Sequence, residues 1–264
     1  MNIIKDAKRI VLKIGSSTLT HENFRMNLRR IEALTRVLSD FKNAGKEIVL
    51  VSSGAVSAGV AKMGLAERPH TTEEKQALAA VGQSELMRIY EHFFSMFGHT
   101  VAQILVTRDI MENPTARQNA ENTFRTLLKM GCIPIVNEND SVSFEEIEFG
   151  DNDTLSAYVS VLCHSDSLII LSDIDGLYDA DPHKNPDAKL ISTVAKLDEK
   201  IMSYAGGAGS NRGTGGLITK LHAAEIVTAH GIPMFIVNGR NPEILYDLFE
   251  GKHVGTYFMS SSSK

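Results

Sequence analysis

Seven carboxylates, interleaved with Asn137, Asn139 and Asn152, crowd into "NENDSVSFEEIEFGDND", residues 137–153, directly after the apolar run "IPIV". So much negative charge beside a buried segment admits a metal cage, a solvated loop or a clamp for a polar ligand. A calcium loop needs Gly at its sixth position and an acid at its twelfth. Counted from Asp151 those positions are Ser156 and Leu162, which excludes it. A glycosidase pair can be chosen from the seven acids, but nothing in the sequence sets their separation. Glu145, Glu146 and Glu148 in the middle read as solvated charge. "NEND" and "GDND" differ, because amides alternate with carboxylates. Carboxylates suit an ammonium and amides suit a carboxylate, the two ends of a small zwitterion.

Residues able to hold an anion lie elsewhere in the chain. No GxxxxGK[ST] is present, and "GAVSAGVAK" lacks the lysine that a Walker loop requires; no GxGxxG opens the first helical segment. Two small-residue loops remain, "KIGSS" (13–17) and "SSGAVSAG" (52–59), each following a strand-like run. They either present backbone N–H groups to an anion or are tight turns that use glycine for conformation. Lys13 closes the apolar run "IVLKIG", where it is either a snorkelling edge residue or an ammonium facing phosphate. "GTGGLITK" (213–220) joins glycines, Thr214 and Thr219 to Lys220, about one turn into the next helical segment. It suits phosphoryl transfer or, equally on spacing, forms a surface loop capped by a helix.

These residues hang on alternating strand-like and helix-like segments. Strands are predicted at 9–14, 47–51, 100–106, 133–136, 167–172, 233–238 and near 255–258. Helices are predicted at 27–44, 73–97, 116–130, 153–163, 196–203, 217–230 and 242–249. Continuous apolar strands between amphipathic helices imply a mainly parallel sheet covered on both faces, a three-layer α/β/α sandwich over residues 1–258 with 259–264 as a disordered tail. In such sheets ligands bind at the carboxyl ends of the strands, where "KIGSS", "SSGA", "NENDSV" and "LSDIDGLY" all fall. A net charge of −5 over 264 residues gives no drive toward nucleic acid or anionic membrane. The N-terminus is neither signal peptide nor membrane span. Cys132 and Cys163 sit singly in apolar runs, read as buried reduced thiols of a cytoplasmic protein.

The ordered set "VLKIGSS", "VSSGAVSAG", "AAVGQSELM", "VNENDSV", "FGDNDTLSA", "LSDIDGLYDADP" and "GTGGLITK" resembles the amino acid kinase family, and within it the glutamate 5-kinase branch, from about residue 8 to 258. The resemblance implies ATP-dependent phosphorylation of the γ-carboxylate of L-glutamate, the first step of proline biosynthesis. By position it implies that Lys13 and Lys220 contact the moving phosphoryl and that Asp153 holds them. Ser53, Gly54, Asp140, Asn152, Asn137 and Asp151 are implied around glutamate. Lys13, Gly15, Ser172, Asp173 and the run Thr214, Gly215, Gly216, Leu217, Ile218, Thr219 and Lys220 are implied around ATP. Mg²⁺ would travel on the ATP phosphates, with no metal site on the protein. A homo-oligomer (dimer or tetramer) and functional coupling to glutamyl phosphate reductase are further expectations. "SSGA", "SD" and "GTGGL" stand where the family pattern has "TSGA", "TD" and "GTGGM", keeping hydroxyls and glycines. The RNA-binding-type PUA domain carried by many members is expected to be absent.

A carboxylate nucleophile is already ionised, so the implied reaction needs positioning and charge stabilisation rather than a general base. A non-catalytic amino-acid sensor on the same fold is the reading from another class; Lys13, Asp153 and Lys220 together argue against it, since a sensor needs no phosphoryl clamp.

Overall fold

The structure is a computed structural model that describes residues 3–107, 109–142, 152–180, 185–205 and 216–260. Among them eight strands form one sheet: β1 (Arg9–Ile14), β2 (Glu47–Ser52), β3 (Val101–Val106), β4 (Ile133–Glu138), β5 (Ser167–Ser172), β6 (Thr193–Val194), β7 (Met234–Asn238) and β8 (Thr256–Phe258). Their spatial order is β3-β4-β2-β1-β5-β7-β8-β6. Neighbours are parallel except at β7 and β8, which run antiparallel, with β6 parallel to β8.

Alternation along β1 decides which side of the sheet carries the chemistry. Ile10, Leu12 and Ile14 enter one core while Val11 enters the other, so Lys13 shares the side of Val11. The helices are α1 (Ile3–Asp6), α2 (Ser16–Leu19), α3 (Leu28–Asn43), α4 (Ala55–Met63), α5 (Thr72–Met96), α6 (Asp109–Glu112), α7 (Pro114–Lys129), α8 (Asn152–Leu162), α9 (Glu199–Ala205), α10 (Leu217–Ala229) and α11 (Ile244–Phe249). The first core is closed by α3, α5 and α11, through Leu34, Leu38, Leu86, Phe94 and Leu248. The second is closed by α7, α8 and α10, through Phe124, Leu155, Val159, Leu221 and Val227. The expected three-layer sandwich with a mainly parallel sheet is therefore present. No helix among the described residues is long and apolar enough to cross a membrane.

Most predicted elements form within a residue or three of their expected ends. One reading is corrected: in "SSGAVSAG" only the first residues turn, and Ala55–Met63 is helix α4. Ala, Ser and Gly carry no amphipathic period to reveal it. The helix is instead held by backbone contact with α5. A Cβ on Gly59 would lie 2.0 Å from Leu78 O, and one on Gly82 would lie 1.8 Å from Ala55 O. The long α5 is started by a reciprocal cap, in which Thr71 Oγ1 accepts from Glu74 N while Glu74 accepts from Thr71 N. The thiol expectation also needs adjustment, since Cys163 is buried but Cys132 is only half-buried. Burial pushes the Cys163 thiol up to about 12, so it stays protonated.

The α4–α5 contact leaves no room for a methyl group. Gly82→Ala is expected to lower unfolding free energy by about 1–3 kcal/mol, the scale of overpacking. Urea denaturation checks it, and an unchanged midpoint would show that the two helices are not in backbone contact.

Candidate active site

Three elements bring one carboxylate and two ammoniums together. Asp153 lies in the first turn of α8 and is wholly buried, at 0% exposure. Lys13 rises from the end of β1 beneath it, with Nζ 2.6 Å from Asp153 Oδ1. Lys220, in the first turn of α10, points back toward its helix start and places Nζ 3.0 Å from Asp153 Oδ2. Both lysines are 6% exposed. Thr219 Oγ1 lies 2.9 Å from Asp153 Oδ2 and 2.7 Å from Gly216 O, so one hydroxyl hydrogen serves two acceptors. Burial alone would raise the Asp153 pKa, but the charges of Lys13 and Lys220 outweigh it and hold the carboxyl below its ordinary value. Among the described residues, two ammoniums face this one carboxylate.

α8 can begin in this position because its own polar residues are satisfied. Ser156 Oγ donates to Asp153 O at 2.6 Å and Ser160 Oγ donates to Ser156 O at 2.8 Å, which lets a serine-bearing helix be buried on almost every side.

Around the lysines stand three helix starts without a side-chain cap: Gly15 before α2, Gly54 before α4 and Gly216 before α10. Gly54 adopts φ +107°, a left-handed conformation that glycine tolerates. Gly15 has an ordinary φ of −86°; a Cβ there would lie 3.6 Å from Lys13 Nζ, so its smallness keeps the space beside the ammonium open. Ser53 N donates to Ile14 O at 3.1 Å and ties the two loops together.

On the other side of Asp153 runs a chain of polar side chains. Asn152 Nδ2 donates to Ser53 Oγ (2.8 Å) and Asn137 Oδ1 (3.0 Å). Asn137 Nδ2 donates to Gln83 Oε1 (2.9 Å), and Gln83 Nε2 to Gln103 Oε1 (3.2 Å). Sequence reasoning missed both glutamines; the only signal was the quoted "AAVGQSELM", in which Gln83 follows the close-packed Gly82. Asp140 lines a cavity of about 630 Å³ with Gln83, Gln103 and Glu138, between α5 and the ends of β3 and β4.

Two of the expected nucleotide residues, Ser172 and Asp173, lie at the end of β5, beside the end of β7. Ser172 Oγ donates to Asp173 Oδ1 at 3.3 Å, and Gly239 N donates to Ser172 O at 2.7 Å. Asp175 accepts from Asn238 Nδ2 (2.7 Å) and Tyr178 OH (3.1 Å), fixing the loop beyond them. Leu217 packs against the second core while Ile218 is exposed. Asp151, Thr214 and Gly215, together with Glu145, Glu146, Glu148 and the last four residues of the expected tail, lie outside the described residues.

Amino acid kinase sequences share one profile, and residues 8–238 of this chain match it. The chain belongs to the amino acid kinase family. Within that family it is similar to the glutamate 5-kinase of Clostridium perfringens, 56% identical over 99% of this chain and 98% of the relative. It is 54% identical to the glutamate 5-kinase of Clostridium tetani over 97% and 96% of the two chains. Against the glutamate 5-kinase of Listeria innocua it is 49% identical over 99% and 96%. The crystal structure of UMP kinase from Bacillus anthracis superposes with a TM-score of 0.64 over 98% of both chains at 18% identity, a likeness of fold.

Replacing Asp153 by Asn would leave two buried ammoniums without their anion. Asp153→Asn is expected to cost about 3–5 kcal/mol in denaturant unfolding. Because the folded carboxyl titrates below its unfolded value, its contribution is complete above about pH 4 and fades as pH falls through the depressed pKa. Wild type should therefore lose stability on acidification more steeply than the variant; parallel pH profiles would contradict the ion cluster.

Proposed function

We propose that the protein is a glutamate 5-kinase that transfers the γ-phosphoryl group of ATP to the γ-carboxylate of L-glutamate. The observation that carries this reading is the pair of buried lysines on one carboxylate, Lys13 and Lys220 on Asp153, among uncapped helix starts at the carboxyl ends of parallel strands. High identity to glutamate 5-kinases along almost the whole chain supports the choice of acceptor.

In this reading one γ-carboxylate oxygen forms a bond to Pγ as the bond from Pγ to the bridging oxygen of ADP breaks. The nucleophile needs no base, and the chain's work is to bring two anions together and to oppose charge on the moving group. Lys13 and Lys220 supply that charge, and Asp153 keeps both ammoniums aimed without neutralising the pair. In this reading the N–H groups of Gly15 and Gly54 donate to phosphate oxygens. Ser53, Asn152 and Asn137 form the glutamate side, with Asp140 and Asp151 assigned to it by sequence. Ser172, Asp173 and the run 214–220 form the ATP side.

In this reading Mg²⁺ arrives on the ATP phosphates, and both Asp153 oxygens face ammoniums rather than a metal ion. A cytoplasmic homo-oligomer is part of it too. Edge strand β3 keeps Ile104 and Leu105 only partly covered, which supports self-association.

Hydroxylamine trapping tests the assignment: with ATP and Mg²⁺, glutamate should yield a hydroxamate and aspartate should not. Absence of glutamate-dependent product would sink the proposal. Lys13→Ala and Lys220→Ala should each lower kcat by roughly 10²–10³, the scale for one preorganised donor. A variant keeping most of its kcat at saturating substrate removes that lysine from the mechanism.

A further inference from the structure

The polar chain that ends at Ser53 has a direction. Asn152 donates to Asn137, Asn137 donates to Gln83, and Gln83 donates to Gln103. A side-chain amide donates through nitrogen and accepts through oxygen. Turning either middle member, Asn137 or Gln83, over alone would set oxygen against oxygen on one side and nitrogen against nitrogen on the other. Asn137 is 3% and Gln83 8% exposed, so little water is at hand to offset such a mismatch. Asn137 and Gln83 are therefore coupled, each holding its sense only together with its neighbours in the chain.

The coupling has a chemical result at the Asn152 end. Both N–H groups of Asn152 are used, one on Asn137 and one on Ser53. What remains to meet a ligand is Asn152 Oδ1, an acceptor that meets no donor among the described residues. Ser53 Oγ already accepts from Asn152, so its own hydrogen is available to be donated outward. One acceptor and one donor are thus presented side by side, next to the lysine cluster.

We propose that Gln83, backed by Gln103, is a positioning residue that sets this polarity, so that Asn152 Oδ1 receives the α-ammonium and the Ser53 hydroxyl donates to a carboxylate of the same amino acid. The inference rests on the assignment of this pocket to glutamate and adds the source of its selectivity for an amino dicarboxylate. Glutarate, the same diacid without the amino group, would leave Asn152 Oδ1 unpaired. Gln83 reaches its place because Gly82 beds α5 directly on the backbone of α4.

Steady-state kinetics of two variants test it. Gln83→Leu keeps the size and removes both hydrogen bonds. Gln83→Glu keeps an acceptor for Asn137 Nδ2, and Gln103, which is exposed, is free to turn its own nitrogen toward it. Gln83→Leu is expected to raise the KM for glutamate roughly tenfold, about one hydrogen bond's worth. It should leave kcat and the KM for ATP little changed and narrow the preference for glutamate over glutarate, while Gln83→Glu recovers most of the KM. An unchanged glutamate KM, an equal rise in both variants, or a matching loss for ATP overturns the proposal. The side-chain amide NMR signals of Asn137 and Asn152 give a readout without turnover. They should move in Gln83→Leu and hold in Gln83→Glu, and signals unmoved in Gln83→Leu overturn it. Wild type yielding no hydroxamate from glutamate would remove the functional assignment, and the amide signals would still decide the relay.

Discussion

Asp153 is the shared counter-ion of Lys13 and Lys220, and the geometry at the carboxyl edge of the sheet follows from that arrangement. Unit like charges repel by roughly 4 kcal/mol at about 4 Å for an effective dielectric near 20, so two ammoniums are buried together only with an anion between them. The anion comes from the start of α8, one lysine from the end of β1 and the other from the start of α10. Each of the three must end or begin at one point, which fixes how α8 and α10 lie over the middle of the sheet. The central place of β1, between β2 and β5, supplies the rigid floor.

Asn152 and Asp153 are consecutive, yet they serve different halves of the site. Asp153 turns into the second core and gathers the cations; Asn152 turns toward Ser53 and Asn137 and joins the amide chain reaching α5. A single peptide unit thus sets the distance between the amide chain and the lysine cluster. That places unusual demand on the first turn of α8, and the serine back-bonds that satisfy this helix help to hold it rigid.

How much of this was legible in the sequence depended on the length scale of the signal. The strands announced themselves through runs such as "RIVLKI" and "SLIILS", and the larger helices through their apolar period. Lys13 stood out because it broke such a run, although only the alternation seen in the two cores shows which face it takes. Helix α4 was invisible because its packing uses absent side chains rather than apolar ones. Gln83 and Gln103 were invisible for another reason: a neutral amide in a sequence has no period and no charge, and gains meaning only from partners distant along the chain. The very short β6 and α6 lie below the length at which any pattern repeats.

Among the described residues, two lysines share one carboxylate inside a chain whose formal charge is −5. Any anion that the folded cluster holds and the unfolded chain does not would link part of the folding free energy to anion concentration through mass action. Phosphate, sulfate or nucleotide in solution then acts as a component of the folded protein, and stability acquires a dependence on the identity of the buffer anion as well as on ionic strength.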